Sequence, residues 1–398
     1  MQTGKDQVKQ YQIAARYLTE AGLNKVDDEH RPEWSFALGV SLHETGSPSD
    51  ALVLLEEAVK RYPPGRVESA MRFVDICLDL KSPERLQEAI EFNNELIALD
   101  VLSRADRDRI YLQRSQVFLA LGLQEEAEAA LAQVSQETSG RHGKSIFRGQ
   151  TLMAEGRYEE AIEVLQPVAA EAGLDRTYPR QAAYLMGLCA EALSKAASGD
   201  QAYRHQAIEY FKQAVRDSEA SQEGIIPNLH LGDLLRADGA HEEALLAYHR
   251  ALQQVRRPET FRNRWLTLRQ FRDTIRTAWN EWVGDGAYQF AIELSQMMSP
   301  LVPEDEAHTL NASAHQQWAE RLQAELDAAT HTQRKQKSAE LLKRWQASGK
   351  AFEALADSSK TTSDYPRYLW ISAEHYRNGH DFARARVPLD VSHLPERF

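Results

Sequence analysis

Apolar residues return every three or four positions along nearly the whole chain, and no stretch keeps the two-residue alternation of a strand. The pattern predicts an all-α protein. After Arg256, the residues Phe261, Trp265, Leu268, Phe271, Ile275, Trp279 and Trp282 step by three or four and predict one long amphipathic helix. Two longer helices are expected from Glu306 to Thr330 and from Thr332 to Ala356, carrying Trp318, Leu322, Leu326, Leu341, Leu342, Trp345, Phe352 and Leu355. Beyond the polar stretch Asp357–Asp364, a last helix is expected over Tyr368–Asn378 with Gly379 as its cap. HDFARARVPL then opens another helix that meets Pro388, and an N-terminal helix is expected over Gln7–Ala21.

The helical pattern repeats. Leu38-Gly39, Leu42, Gly46, Ala51, Leu55 and Ala58 have the same spacing as Leu231-Gly232, Leu235, Gly239, Ala244, Tyr248 and Ala251. A third copy runs Gly149, Leu152, Gly156, Ala161, Leu165, Val168, and a fourth Tyr111, Phe118, Gly122, Ala127, Leu131, Val134. A small residue at 39, 149 and 232 lets two antiparallel helices approach closely. The glycine at 46, 122, 156 and 239 follows the first helix, where a left-handed cap is needed. Ala127 to Ala161 spans 34 residues, Ala51 to Ala89 and Ala89 to Ala127 span 38 each, and Ala161 to Ala207 spans 46 with an insertion near 196–204. The unit around Met71–Leu99 lacks the glycines.

In these residues the sequence resembles the tetratricopeptide repeat (TPR) family, a helix–turn–helix unit of 34 residues, over roughly 32–256. A TPR-like second helix follows at Gly286, Ala291, Met298 and Pro303. The resemblance implies a right-handed superhelical solenoid of antiparallel helix pairs. The expected division is a capping helix over 1–31, the TPR array over 32–256, longer degenerate hairpins over 257–356 and a half-repeat or cap over 357–398.

Composition leaves this picture in place. Hydrophobic residues make up 42% and charged residues 27%, a globular balance. The net charge of −12 leads to an expectation of no nucleic-acid partner, although basic local patches stay open. Cys77 and Cys189 read as small core residues and form no disulfide framework. No run of about 18 apolar residues occurs, so no membrane insertion is expected, and Met1–Gln10 carries no apolar signal core. The chain reads as soluble and untargeted, cytoplasmic by default.

No catalytic constellation emerges, and the expectation is a non-enzymatic chain with no cofactor and no metal. Thr138–Ser145, TSGRHGKS, is one residue from a phosphate-binding loop, but Thr138 replaces the first glycine and a helix, not a strand, precedes it. The thirteen histidines give no H-E-x-x-H, and His375 and His380 fall on diverging faces. Glu159-Glu160 and Glu242-Glu243 recur at one repeat position, as solvated first turns of second helices do. Asn311-Ala312-Ser313 is a sequon without a secretory context.

Function is therefore expected on a surface. In the TPR family, positions 2, 5, 9 and 12 of each repeat point into the concave groove. Here the resemblance puts Phe36, Val40, Leu112, Gln116, Ile146, Gln150, Tyr184, Leu188, Ile226, Leu229, Asp233 and Arg236 there, as a binding row for a protein or peptide partner. The Lys/Asn/Arg clamp of chaperone-binding members is absent. Two readings of the apolar row remain: a groove for a partner segment, or a seam covered by packing within the chain. Arg262, Arg269, Arg272 and Arg276 form a basic stripe that meets either an acidic or phosphate-bearing ligand or the acidic faces of neighbouring helices. The leading expectation is a protein-interaction scaffold. Its rival is a recruitment or sensor module of a larger enzyme or regulator.

Overall fold

The structure, a computed structural model, describes residues 4–22, 26–99, 102–135, 138–171, 177–197, 200–216, 224–255, 257–258, 261, 263, 266–328 and 331–386; the side chains of 4–9, 138–139 and 331–336 are outside that description. Every regular element among these residues is helical. The contacts divide them into two compact units, one up to Pro227 and one comprising 228–261 and the residues from 266 onward.

In the first unit α1 (Gly4–Ala21) packs on α2 (Arg31–Glu44), and antiparallel pairs follow: α2 with α3 (Pro48–Arg61), α4 (Arg66–Leu80) with α5 (Pro83–Ile97), α6 (Arg104–Ala120) with α7 (Gln124–Ala132), α8 (Thr138–Ala154) with α9 (Tyr158–Ala169), and α10 (Thr177–Ala196) with α11 (Gln201–Val215). Each pair packs on the next, and the first helices α2, α4, α6, α8 and α10 touch in succession. Helix α12 (Ile225–Ala237) begins the next repeat. The second unit continues with α13 (His241–Leu252), α14 (Leu268–Gly284), α15 (Tyr288–Met297), α16 (Glu304–Asp327), α17 (His331–Ser358), α18 (Tyr365–Asn378) and α19 (Phe382–Arg386), the last five each packed on its neighbour in order.

The repeat residues do what their chemistry requires. The alanines at 51, 161, 244 and 291 are wholly buried. A Cβ at Gly232 would lie 2.6 Å from the Tyr248 ring, and one at Gly149 2.7 Å from Leu165, so only glycine permits this helix separation. The turn glycines have positive φ, from 75° to 78° at Gly46, Gly122, Gly156, Gly239 and Gly286. At these turns the next amide reaches back five residues, as Ser47 N donates to Leu42 O at 2.8 Å. The acidic pairs Glu159-Glu160 and Glu242-Glu243 fall in the first turns of α9 and α13.

One local expectation is corrected. The helix expected from Phe261 starts only at Leu268, because Thr267 and Gln270 form a capping box that fixes the start. Periodicity alone carried it too far back; Trp265 lies outside the described residues. Gly379 is the C-cap of α18, as expected, and the residue after it, His380, takes the left-handed conformation, at φ 58°; Asp381 N donates to Tyr376 O at 2.8 Å. In the glycine-poor second pair Lys81 holds that role at φ 52°.

Candidate functional site

The first-helix row of the first unit is built from α2, α6, α8, α10 and the start of α12, whose equivalent positions recur at 34 or 38 residues (76 from α2 to α6, across two units) and at 45 across the insertion before α12. Val40 and Ile146 are buried, while Phe36, Leu112, Tyr184, Leu188 and Ile226 are half-buried. Phe36 stacks obliquely on Tyr62, ring centroids 5.4 Å apart, and covers Gly65. Leu112 fills the space over Gly143, joining α6 to α8. Tyr184 and Leu188 pack on the aliphatic cluster that holds Ile146, Leu165 and Met186. Burial also pushes the Tyr184 hydroxyl up from its ordinary range, which keeps it a neutral donor.

Gln116 on α6 and Gln150 on α8 are half-buried, one repeat of 34 residues apart, and neither side-chain amide has a hydrogen-bond partner among the described residues. An amide offers both donors and an acceptor, so such a pair suits a polypeptide backbone.

Of the row positions in the second unit, Leu229 is buried, and two polar residues form a network that the sequence reading missed. Tyr248 donates its hydroxyl to Asp233 at 2.6 Å, and Arg236 pairs with Glu281 of α14. Burial raises the Asp233 carboxyl, with the Tyr248 hydrogen bond and Arg236 pulling it back. Tyr248 at a position held elsewhere by leucine was the available signal.

The basic stripe divides. Arg262 lies outside the described residues. Arg272 donates through Nε to the Leu301 carbonyl at 2.7 Å, and Arg276 grips Glu306 with two bonds of 2.6 and 2.8 Å. Arg269 is 91% exposed, with Asp273 at 3.8 Å. The segment Thr138–Ser145 is the opening of helix α8. Cys77 and Cys189 are fully buried, and burial pushes both thiols up to about 12, so neither is a thiolate at neutral pH. Among the described residues no helix is long and apolar enough to cross a membrane.

These features define an all-helical repeat protein with a TPR-like fold. Among solved structures, the chain is similar to a monomeric IFIT1 mutant with Gppp-AAAA (14% identity, 97% of this chain and 75% of that one, TM-score 0.43) and to the human IFIT1 dimer with m7Gppp-AAAA (12%, 90% and 70%, TM-score 0.41). The TPR domain of P58(IPK) is similar at 15% identity over 92% of this chain and 99% of that one, TM-score 0.25. No family model and no curated protein matches the sequence. At this identity the likeness concerns fold alone.

The expectation of no nucleic acid is corrected. The IFIT1 structures to which the chain is similar were solved with Gppp-AAAA and with m7Gppp-AAAA. The physical fault is that a net charge of −12 sums over the whole chain and does not set the potential of one face.

Proposed function

We propose that the chain is a non-catalytic scaffold that holds an extended segment of a protein partner along the first-helix row of its N-terminal unit. The supporting observation is the Gln116–Gln150 pair: two amides in repeat register, half-buried and without partners, bordered by the half-buried Leu112, Tyr184 and Leu188. An extended peptide presents an N–H and a C=O at every residue, so amides in register read its backbone while apolar neighbours take its side chains. The buried thiols offer no activated nucleophile to such a groove.

The test is capture from source lysate by wild type and by the double variant Gln116→Arg/Gln150→Arg, each with and without nuclease. Neither side chain supports the fold, so the melting temperature should stay the same. The variant should retain at least about tenfold less of the captured protein. Equal retention by the folded variant sinks the proposal, and capture that nuclease abolishes assigns the row to nucleic acid instead.

A further inference from the structure

Helices α6 and α8 are each 17 residues long, and Arg104 and Thr138, their first residues, are 34 apart, so the two match position by position. At two matched positions both carry arginine: Arg107 with Arg141, and Arg114 with Arg148. The two arginines of each helix are seven residues apart, just under two turns, and lie along one face. Tyr111 and Ser145, at a third matched position, stand between them on that face. The helices pack on each other within the first unit, which brings the two arginine pairs side by side.

These cations are matched differently from their neighbours. Arg66, Arg72, Arg85 and Arg157 are each paired with a carboxylate. Arg107, Arg141 and Arg148 are exposed, and none has an ion pair among the described residues. Glu160 is near Arg148, but Arg157 grips that carboxylate with bonds of 2.7 and 2.5 Å. The carboxylates on either side of Arg107 are engaged too: Ser103 donates to Asp106 at 2.6 Å, and the Ser135 amide donates to Asp108 at 2.7 Å. Arg114 is half-buried with neutral partners, the Asn94 Oδ1 at 2.6 Å and the Phe118 ring at 5.2 Å. Tyr111 and Ser145 are half-buried, and neither hydroxyl makes a hydrogen bond among the described residues. The face therefore offers cationic and neutral donors whose natural acceptors are anions.

The extent of the strip selects the anion. The matched positions are Ser69 and Ile76 on α4 and Pro179 and Met186 on α10, so the charge ends after two repeats. Two packed helices, with arginines about 10 Å apart along each, make a patch of roughly 10 by 10 Å. A nucleic acid is held by neutralising phosphates along a track, commonly about 6–10 of them, and by stacking bases on open rings. This track is short, and of its rings Phe118 is 9% exposed and Tyr111 half-buried. A short acidic stretch of polypeptide fits better. Carboxylates three residues apart in an extended chain lie about 10 Å apart, and each can accept a two-bond fork from a guanidinium.

We propose that the face formed by Arg107, Arg114, Arg141 and Arg148 binds an acidic segment of a partner protein. Its carboxylates meet the guanidiniums, and the Tyr111 and Ser145 hydroxyls donate to its backbone carbonyls. Gln116 and Gln150 lie nine residues beyond Arg107 and Arg141, half a turn round each helix, so this face is opposite the first-helix row. Its failure leaves the scaffold reading of that row untouched.

Fluorescence anisotropy with a labelled, end-capped octaglutamate peptide, and separately with a labelled adenylate decanucleotide, tests it. Wild type should bind the peptide, and more weakly as salt rises. Arg107→Glu/Arg141→Glu should weaken peptide binding by about tenfold or more. Arg107→Lys/Arg141→Lys should weaken it by about threefold, because an ammonium keeps the charge and loses the fork. Arg269→Glu/Arg367→Glu, at exposed residues of the other unit, makes the same change in net charge and should leave binding within about twofold of wild type. Circular dichroism should show unchanged helix content in all three variants. No binding of the peptide to wild type overturns the proposal. So does equal weakening by the two charge-reversing pairs, which would be diffuse attraction. Tighter binding of the decanucleotide than of the peptide, lost on reversing Arg107 and Arg141, also overturns it and assigns the strip to nucleic acid.

Discussion

The hairpins α8–α9 and α17–α18 both close on a glycine, but they surround it with different chemistry. In the first, Gly149 meets Leu165 and the seam is completed by Leu152, Ala161 and Val168, all buried and apolar. In the second, a Cβ at Gly349 would come 2.9 Å from Tyr376, and the seam around it is polar. Ser348 and His375 Nδ1 are hydrogen-bonded at 3.0 Å, Ser372 donates to the Gly349 carbonyl at 2.8 Å, and Tyr376 donates to Glu353 at 2.7 Å. The same close approach is thus reached by aliphatic filling or by a satisfied buried network. In the second, the seam itself ties stability to protonation through His375.

The largest expected effect exploits that contrast. Burial pushes the His375 imidazole down to about 4, from an ordinary 6.5. An unfolded chain therefore takes up this proton before the folded one does, and acid favours unfolding. Between pH 6.5 and about 4 the second unit should lose about 3 kcal/mol from His375 alone. His315, also pushed down to about 4 by burial with Arg344 nearby, adds to the loss. Denaturant melts across this range, with hydrogen exchange at α17–α18, should show the loss there. His375→Phe should remove its share of the slope; an unchanged slope in that variant would break the comparison.

A somewhat smaller effect tests the glycine itself. Gly232→Val should destabilise by about 2–3 kcal/mol, because the new side chain would overlap the Tyr248 ring. Gly284→Ala is the control: nothing lies within 4 Å of its Cβ position and its φ is not positive, so equilibrium unfolding should show no loss. The smallest effects concern the turns. Gly46→Ala should cost about 1 kcal/mol, and His380→Gly should gain up to about 1 kcal/mol, since one loses and the other acquires a residue at ease with positive φ. Equal melting temperatures for both variants and wild type would show that turn strain is absorbed elsewhere.

Much of the fold was legible because the repeat writes its geometry into small residues. Gly39, Gly149 and Gly232 predicted the close approaches, and Gly46, Gly122, Gly156 and Gly239 the left-handed turns. Gly187 escaped notice although a Cβ there would lie 2.6 Å from the Phe211 ring, a close approach of the same kind. It lies 20 residues before Ala207, where Gly39 lies 12 before Ala51, so the insertion hid the register. The start of α14 was misplaced because a Thr-x-x-Gln cap outweighs a hydrophobic period that continues past it. The candidate row was legible as positions, not as surroundings: that Tyr62 would lie against Phe36 is a tertiary fact. The arginine stripe illustrates the same gap, since the partners of Arg272 and Arg276 are Leu301 and Glu306, about 30 residues away.

The two cysteines, Cys77 in α4 and Cys189 in α10, both belong to the first unit and are wholly enclosed. An alkylating reagent can reach either sulfur only when its hairpin opens. The rate of thiol blocking thus reads out breathing of that unit alone, with no label added and no contribution from the other, whose described residues carry no sulfhydryl.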